Sequence, residues 1–164
     1  MNDNSIDVEN TFKYLGHYIS DNLSDKTDIE RQRKKLYAQG NSLIRKFHMC
    51  TLETKLLLFN TYCSAMYTVQ LWTNYTNSSI NKLYTAYHNI LKIFIGVSKT
   101  ERTSPICVNL NVRNCPAVIR NLIFKFISRL RISKNEIINS ICCSSQYYNS
   151  PMWTHWRSLL YTNV

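Results

Sequence analysis

The sequence predicts a mainly α protein: a short N-terminal β-hairpin, then a three-helix bundle, then a smaller C-terminal helical lobe. Three observations carry this expectation. Apolar residues recur at intervals of three and four over three separate stretches joined by short polar loops. A lone glycine stands among aromatic and β-branched residues in FKYLGHYIS near the start. Three glycines and three prolines in 164 residues are too few for a loop-rich β-sandwich. The length suffices for one real core, and Leu, Ile, Val, Phe, Tyr and Met are spread along most of it, which argues against disorder.

The elements follow in order. Gly16 can take a positive φ and let another chain come close, so a tight hairpin is expected at about 10–20. Thr27 and Glu30 form a T-x-x-E capping box, and Ile29, Leu36, Gly40, Leu43, Ile44 and Phe47 keep a helical period after it, predicting a helix over 28–48. At 100° per residue Arg31, Lys34, Lys35, Arg45 and Lys46 gather opposite that apolar side, while Arg33 falls near it. Thr51 caps a second helix over 52–72, with Leu56, Phe59, Cys63, Met66, Tyr67 and Gln70 along one side and Trp72 at its end. After the NYTNSS loop a third helix runs over 80–95, stopped by Gly96. Its tyrosines sit at helical spacing, which points to core packing rather than to base stacking.

VSKTERTSPICVNLNVRNCP has no clear period and is expected to hold a short strand from Ile106 to Leu110. Pro116 opens a fourth helix to about 132, with Val118, Leu122, Ile123, Phe126 and Leu130 inward and Arg120, Lys125, Arg129 and Arg131 flanking. Two short helices follow at 135–143 and 151–161, the latter anchored by Trp153 and Trp156. The organisation is thus an acidic N-terminal segment with the hairpin (1–27), the helical bundle (28–97), and a connection with a C-terminal helical region (98–164).

Charge is distributed unevenly. The net charge is +10, but the first thirty residues hold seven acids (Asp3, Asp7, Glu9, Asp21, Asp25, Asp28, Glu30) against two lysines. Residues 31–164 therefore carry eighteen bases and three acids, a balance of +15. Such asymmetry points to a polyanionic partner, nucleic acid or an anionic surface. There is no run of eighteen apolar residues and the first ten residues are polar, so an intracellular protein, nuclear or cytosolic, with no membrane partner is expected.

Candidate chemistry is sparse. The six cysteines follow neither a C-x-x-C pattern nor a zinc-finger spacing, and four lie in apolar surroundings, so buried thiols are expected. Cys142, Cys143 and His155 supply three of the four ligands that tetrahedral zinc needs. Asp21, Asp25, Asp28 and Glu30 cluster before and in the first turn of the basic helix, where acids ordinarily serve capping and the macrodipole rather than Mg²⁺. His17, His48, His88 and His155 stand in no hydrolase motif.

The order of parts resembles a known family. A hairpin carrying aromatic-Leu-Gly, a basic amphipathic helix, TLETKLLLFNTYCSAMYTVQLW, and a helix ending ILKIFIGV resemble the segment that closes the reverse transcriptase of non-LTR retrotransposons. The resemblance covers about residues 10–97 and extends more weakly over LNVRNCPAVIRNLIFKFISRLRISKNEII. It implies that Tyr14, Leu15 and Gly16 form the primer-grip hairpin ending the palm, and that the helices after it form the thumb. It also implies an RNA/DNA primer-template duplex as partner, together with palm and fingers domains. The basic residues of the first helix, Arg31, Lys34, Lys35, Arg45 and Lys46, would then face the duplex backbone.

Polymerases of that kind hold two metal ions on palm aspartates, because phosphoryl transfer needs both attacking and leaving oxygens clamped. This sequence has no Asp-Asp pair, and only eleven residues precede Phe12. The chain is accordingly expected to be a C-terminal reverse transcriptase fragment, inactive alone and without cofactor, Mg²⁺ belonging to the missing palm. A helical protein-interaction module and a non-functional retroelement remnant are the alternatives.

Overall fold

The structure, a computed structural model, describes residues 9–161, so Asp3 and Asp7 of the acidic N-terminus lie outside the described residues. Strands β1 (Thr11–Tyr14) and β2 (His17–Ser20) pair antiparallel, with Tyr14 opposite His17 and Thr11 opposite Ser20. That register leaves a two-residue loop of Leu15 and Gly16, both left-handed at φ +46° and +83°. Positive φ at both positions suits the right-handed twist of the strands. Helices follow from there to Tyr161, and the protein is mainly α with an N-terminal hairpin.

Helix α1 (Lys26–Phe47) starts earlier than the capping box predicts. Its N-cap is Asp25, whose side chain makes no capping bond because its Oδ2 accepts the backbone N–H groups of Thr73 and Asn74, each at 2.7 Å. Thr27 therefore lies inside the helix rather than at its cap. The buried side of α1 is Asp28, Ile29, Gln32, Leu36, Gly40 and Leu43. Helix α3 (Asn77–Ile95) packs along it, capped by Thr76 and stopped by left-handed Gly96, and α2 (Leu52–Tyr62), capped by Thr51, touches both. The closest approach is at Gly40, where a Cβ would lie 2.3 Å from Ile90 Cγ2. Glycine is the residue that lets the two helices meet there.

Two elements differ from the sequence expectation. The second helix ends at Tyr62 instead of running to 72, and the chain passes through left-handed Thr68 (φ +69°) into a 3₁₀ turn at Val69–Leu71. Beyond the break, Thr68 Oγ1 and Trp72 Nε1 both donate to Asp28 Oδ2 on α1, a tertiary tie that no local pattern announces. The expected strand at 106–110 is instead part of helix α4 (Thr103–Asn109), closed by left-handed Asn111. A short apolar run does not itself distinguish strand from helix, and Pro105 is tolerated in a first turn. The 98–101 connection before it is held down by buried Lys92, whose Nζ donates to the carbonyls of Lys99 (3.2 Å) and Glu101 (2.5 Å).

Helix α5 (Cys115–Ile132) starts at N-cap Asn114 with Pro116 in its first turn and packs on the 3₁₀ turn and on α3. Its buried residues Val118, Ile119, Ile123 and Ile127 join the same apolar cluster as Leu36, Phe59, Leu83 and Tyr87. Helices α6 (Glu136–Cys143), α7 (Ser145–Tyr148) and α8 (Pro151–Tyr161) complete the chain. Trp156 of α8 is buried in that cluster and donates its Nε1–H to the Gln70 carbonyl at 3.0 Å. No helix among the described residues is long and apolar enough to cross a membrane.

Candidate nucleic-acid interface

The basic residues of α1 divide into two kinds. Lys34 and Lys35 recur as Arg45 and Lys46 eleven residues on, which is three turns plus about 20°, so the two pairs share one side about 16 Å apart. All four are exposed, and none forms an ion pair among the described residues. Ala38, Asn41 and Ser42 lie between them on that side, leaving small side chains under a backbone that would cross it.

Arg31 is different. Its Nε donates to Asp28 Oδ1 at 2.7 Å and its Nη2 to Thr68 Oγ1 at 3.3 Å, so it serves the fold as a partner of a buried carboxylate. Arg33, near the apolar side as expected, pairs with Glu30 at 2.6 Å and lies over the Tyr37 ring. The hydrogen bond from Arg33 holds the Glu30 carboxyl below its usual range.

The acid cluster is used internally. Asp28 is fully buried and accepts from Trp72 Nε1 (2.8 Å), Thr68 Oγ1 (2.7 Å) and Arg31. It also meets His17 Nδ1 at 3.1 Å and the Tyr18 N–H at 3.4 Å, which ties the hairpin to α1. Burial pushes its carboxyl up, but the bonds from Arg31, Trp72 and Thr68 outweigh that and hold it below the usual range. Burial raises Asp25 despite the two backbone N–H groups it accepts. The role of these acids as braces between distant segments was not readable from local spacing. Among the described residues no three His, Cys, Asp or Glu side chains form a metal-binding group. His155 bonds Tyr75 Oη at 3.1 Å, Cys142 is half-buried and Cys143 is exposed. Cys63, Cys107 and Cys115 are the buried thiols; burial pushes Cys63 up to about 12.

The hairpin residues are placed as follows. Tyr14 and Leu15 are 58% and 75% exposed. Gly16 is half-buried, and a Cβ there would lie 3.1 Å from the Tyr67 ring. The close approach that Gly16 permits is thus to a tyrosine of this chain. Between hairpin and helix, Tyr18, Lys26, Thr27, Glu30, Arg31 and Lys34 line a depression of about 600 Å³, which none of Tyr14, Leu15 and Gly16 lines.

A second basic region lies on α5. There Lys125 and Arg129 stand one turn apart beside exposed Phe124, facing the segment that carries exposed Tyr67. Lys125 and Arg129 were visible as flanking bases, but their meeting with Tyr67 depends on the break in the second helix. No protein-family signature, no curated protein and no solved structure matches the chain.

Proposed function

We propose that this chain binds duplex nucleic acid through the exposed basic side of α1, in the role of the thumb of a non-LTR retrotransposon reverse transcriptase, without a catalytic palm. One observation supports this reading above the others. Lys34, Lys35, Arg45 and Lys46 are solvent-exposed and free of ion pairs among the described residues, while the nearby acids Asp25, Asp28 and Glu30 are engaged elsewhere. The positive charge of this side is therefore offset only in part, by Glu30 beside Lys34, and a polyphosphate backbone is a partner whose charge it suits. Binding of this kind recognises backbone and not sequence. The chain supplies no Asp-Asp pair for two-metal chemistry, so incubation with primer, template, nucleotides and Mg²⁺ is expected to give no extension.

The test is salt-dependent binding to duplex DNA and to an RNA/DNA hybrid by wild type and by the Lys34→Gln/Lys35→Gln double variant. Each neutralised phosphate releases condensed counterion, so the log-log salt slope for duplex DNA should shrink by about 1.8 with weaker binding to every sequence. Helicity should not change, since Gln is nearly as good a helix former as Lys. Arg31 is left out of the variant because it also supports Asp28. Unaltered affinity and slope in the double variant would reject this interface.

A further inference from the structure

We infer that the groove between the Ser64–Gln70 segment and α5 is a second binding site, for a short single-stranded stretch of nucleic acid. It consists of two adjoining depressions of about 340 and 660 Å³ that share Leu122 and Lys125. Arg113 and Asn121 line the first, and Tyr67, Phe124 and Arg129 the second; Lys125 stands where they meet. No Asp or Glu lines either depression, and Arg113, Lys125 and Arg129 form no ion pair among the described residues.

The aromatic residues make the groove more than a basic surface. Tyr67 is 55% and Phe124 57% exposed; Phe12, Tyr14, Tyr62, Tyr148 and Tyr161 are similarly exposed, but these two rings line one depression together with Lys125 and Arg129. Two unstacked rings beside three cations is the combination that holds single strands: every base has a π-face to stack, and the cations follow the backbone. The rings offer nothing to a duplex, whose bases are already stacked. Each depression also has the size of a small-ligand site, about 300–1,000 Å³, which suits bases taken singly.

The groove is held in shape before anything binds. Left-handed Thr68 follows Tyr67, and this unfavourable conformation for a β-branched residue is maintained by the bonds of its hydroxyl to buried Asp28 and Arg31. On the hairpin side, Gly16 lies against the edge of the Tyr67 ring. At the other end the Arg113 carbonyl accepts from Tyr87 Oη at 3.2 Å, which fixes the backbone that carries this cation. A preorganised aromatic and basic groove loses less entropy on taking up a flexible strand.

The experiment uses the full chain and a fluorescent oligothymidylate, with unlabelled duplex DNA and poly-glutamate as competitors. Phe124 is exposed, so Phe124→Ala should leave the thermal transition unchanged while weakening oligothymidylate binding at least about fivefold, the effect of one lost base stack. Lys125→Gln/Arg129→Gln should reduce its log-log salt slope by about 1.4, the single-strand value for two phosphates. Phe124→Ala should weaken oligothymidylate binding by the same factor in the Lys34→Gln/Lys35→Gln background, so this site and the α1 interface can fail separately. Full binding by Phe124→Ala overturns the proposal, since only a basic surface would remain. Competition by poly-glutamate as strong as by unlabelled oligothymidylate also overturns it, in favour of an acidic protein segment.

Discussion

The indole Nε1–H of Trp72 donates to Asp28 Oδ2 at 2.8 Å, joining the first turn of α1 to a segment forty-four residues later. Thr68 reaches the same oxygen, and Arg31 the other. Loss of this carboxylate leaves a buried indole N–H without its acceptor and a guanidinium without its counter-ion. Asp28→Ala is therefore expected to cost about 3 kcal/mol, and Arg31→Gln about 1.5 kcal/mol, in urea unfolding. An Asp28→Ala midpoint equal to wild type would contradict the bracing role.

Contact between α1 and α3 makes a second prediction. Gly40→Ala gains helix propensity worth about 1 kcal/mol, but its methyl would meet the stiff Ile90 side chain at 2.3 Å. Overpacking should win, for a net loss of about 1–2 kcal/mol. Ile90→Ala alone should cost about 3 kcal/mol by leaving a cavity. The double variant should cost less than the sum of the two, because each change accommodates the other; strict additivity would mean that the helices shift apart instead.

Leu15 is the third case. It is 75% exposed, so it gains little from burial, yet it adopts φ +46°. Asn tolerates that conformation better and forms with Gly the preferred two-residue hairpin turn. Leu15→Asn should raise stability by about 0.5–1 kcal/mol, read as an upward shift of the thermal midpoint. A lower midpoint would show that the Leu15 side chain contributes to packing.

Acid should weaken the fold through two histidines. His88 Nε2 accepts the Cys115 N–H at 3.3 Å, a role open only to the neutral ring, and burial followed by the Lys92 charge lowers its pKa. Burial also lowers His155, against the opposing charge of Asp25. With folded values below the unfolded one near 6.5, the unfolded chain binds more protons just below that pH. Stability therefore rises with pH across this window and is lost on acidification from about 6.5 down to the folded values. Asp28, also held below its usual value, adds a loss only at lower pH, as its carboxylate protonates. The thermal midpoint should fall between pH 7 and pH 5, and His88→Gln should flatten that fall; a flat wild-type profile would contradict it.

What the sequence by itself determined is what depends on neighbours within a few residues. The 3.6-residue periods of α1, α3 and α5, the Thr51 cap, the Gly96 stop and the opening at Pro116 all use backbone partners three or four positions away, and these elements appear where the pattern predicts them, within a few residues at their ends. The positions of Lys34, Lys35, Arg45 and Lys46 on one exposed side follow from helix geometry in the same way. Tertiary structure decided the rest. The second helix stops at Tyr62, the chain beyond it is held by the bonds of Thr68 and Trp72 to Asp28, and Arg31 leaves the basic stripe for the same carboxylate. The short apolar run of 106–110 fits either period, and packing makes it helical by burying Ile106 and Cys107 on adjacent positions. The groove between Tyr67 and Phe124 exists only once the break after Tyr62 and α5 face each other. A hydrogen bond across forty-four residues leaves no local periodicity in the sequence, so both the bend and the groove it shapes become visible only when the chain is folded.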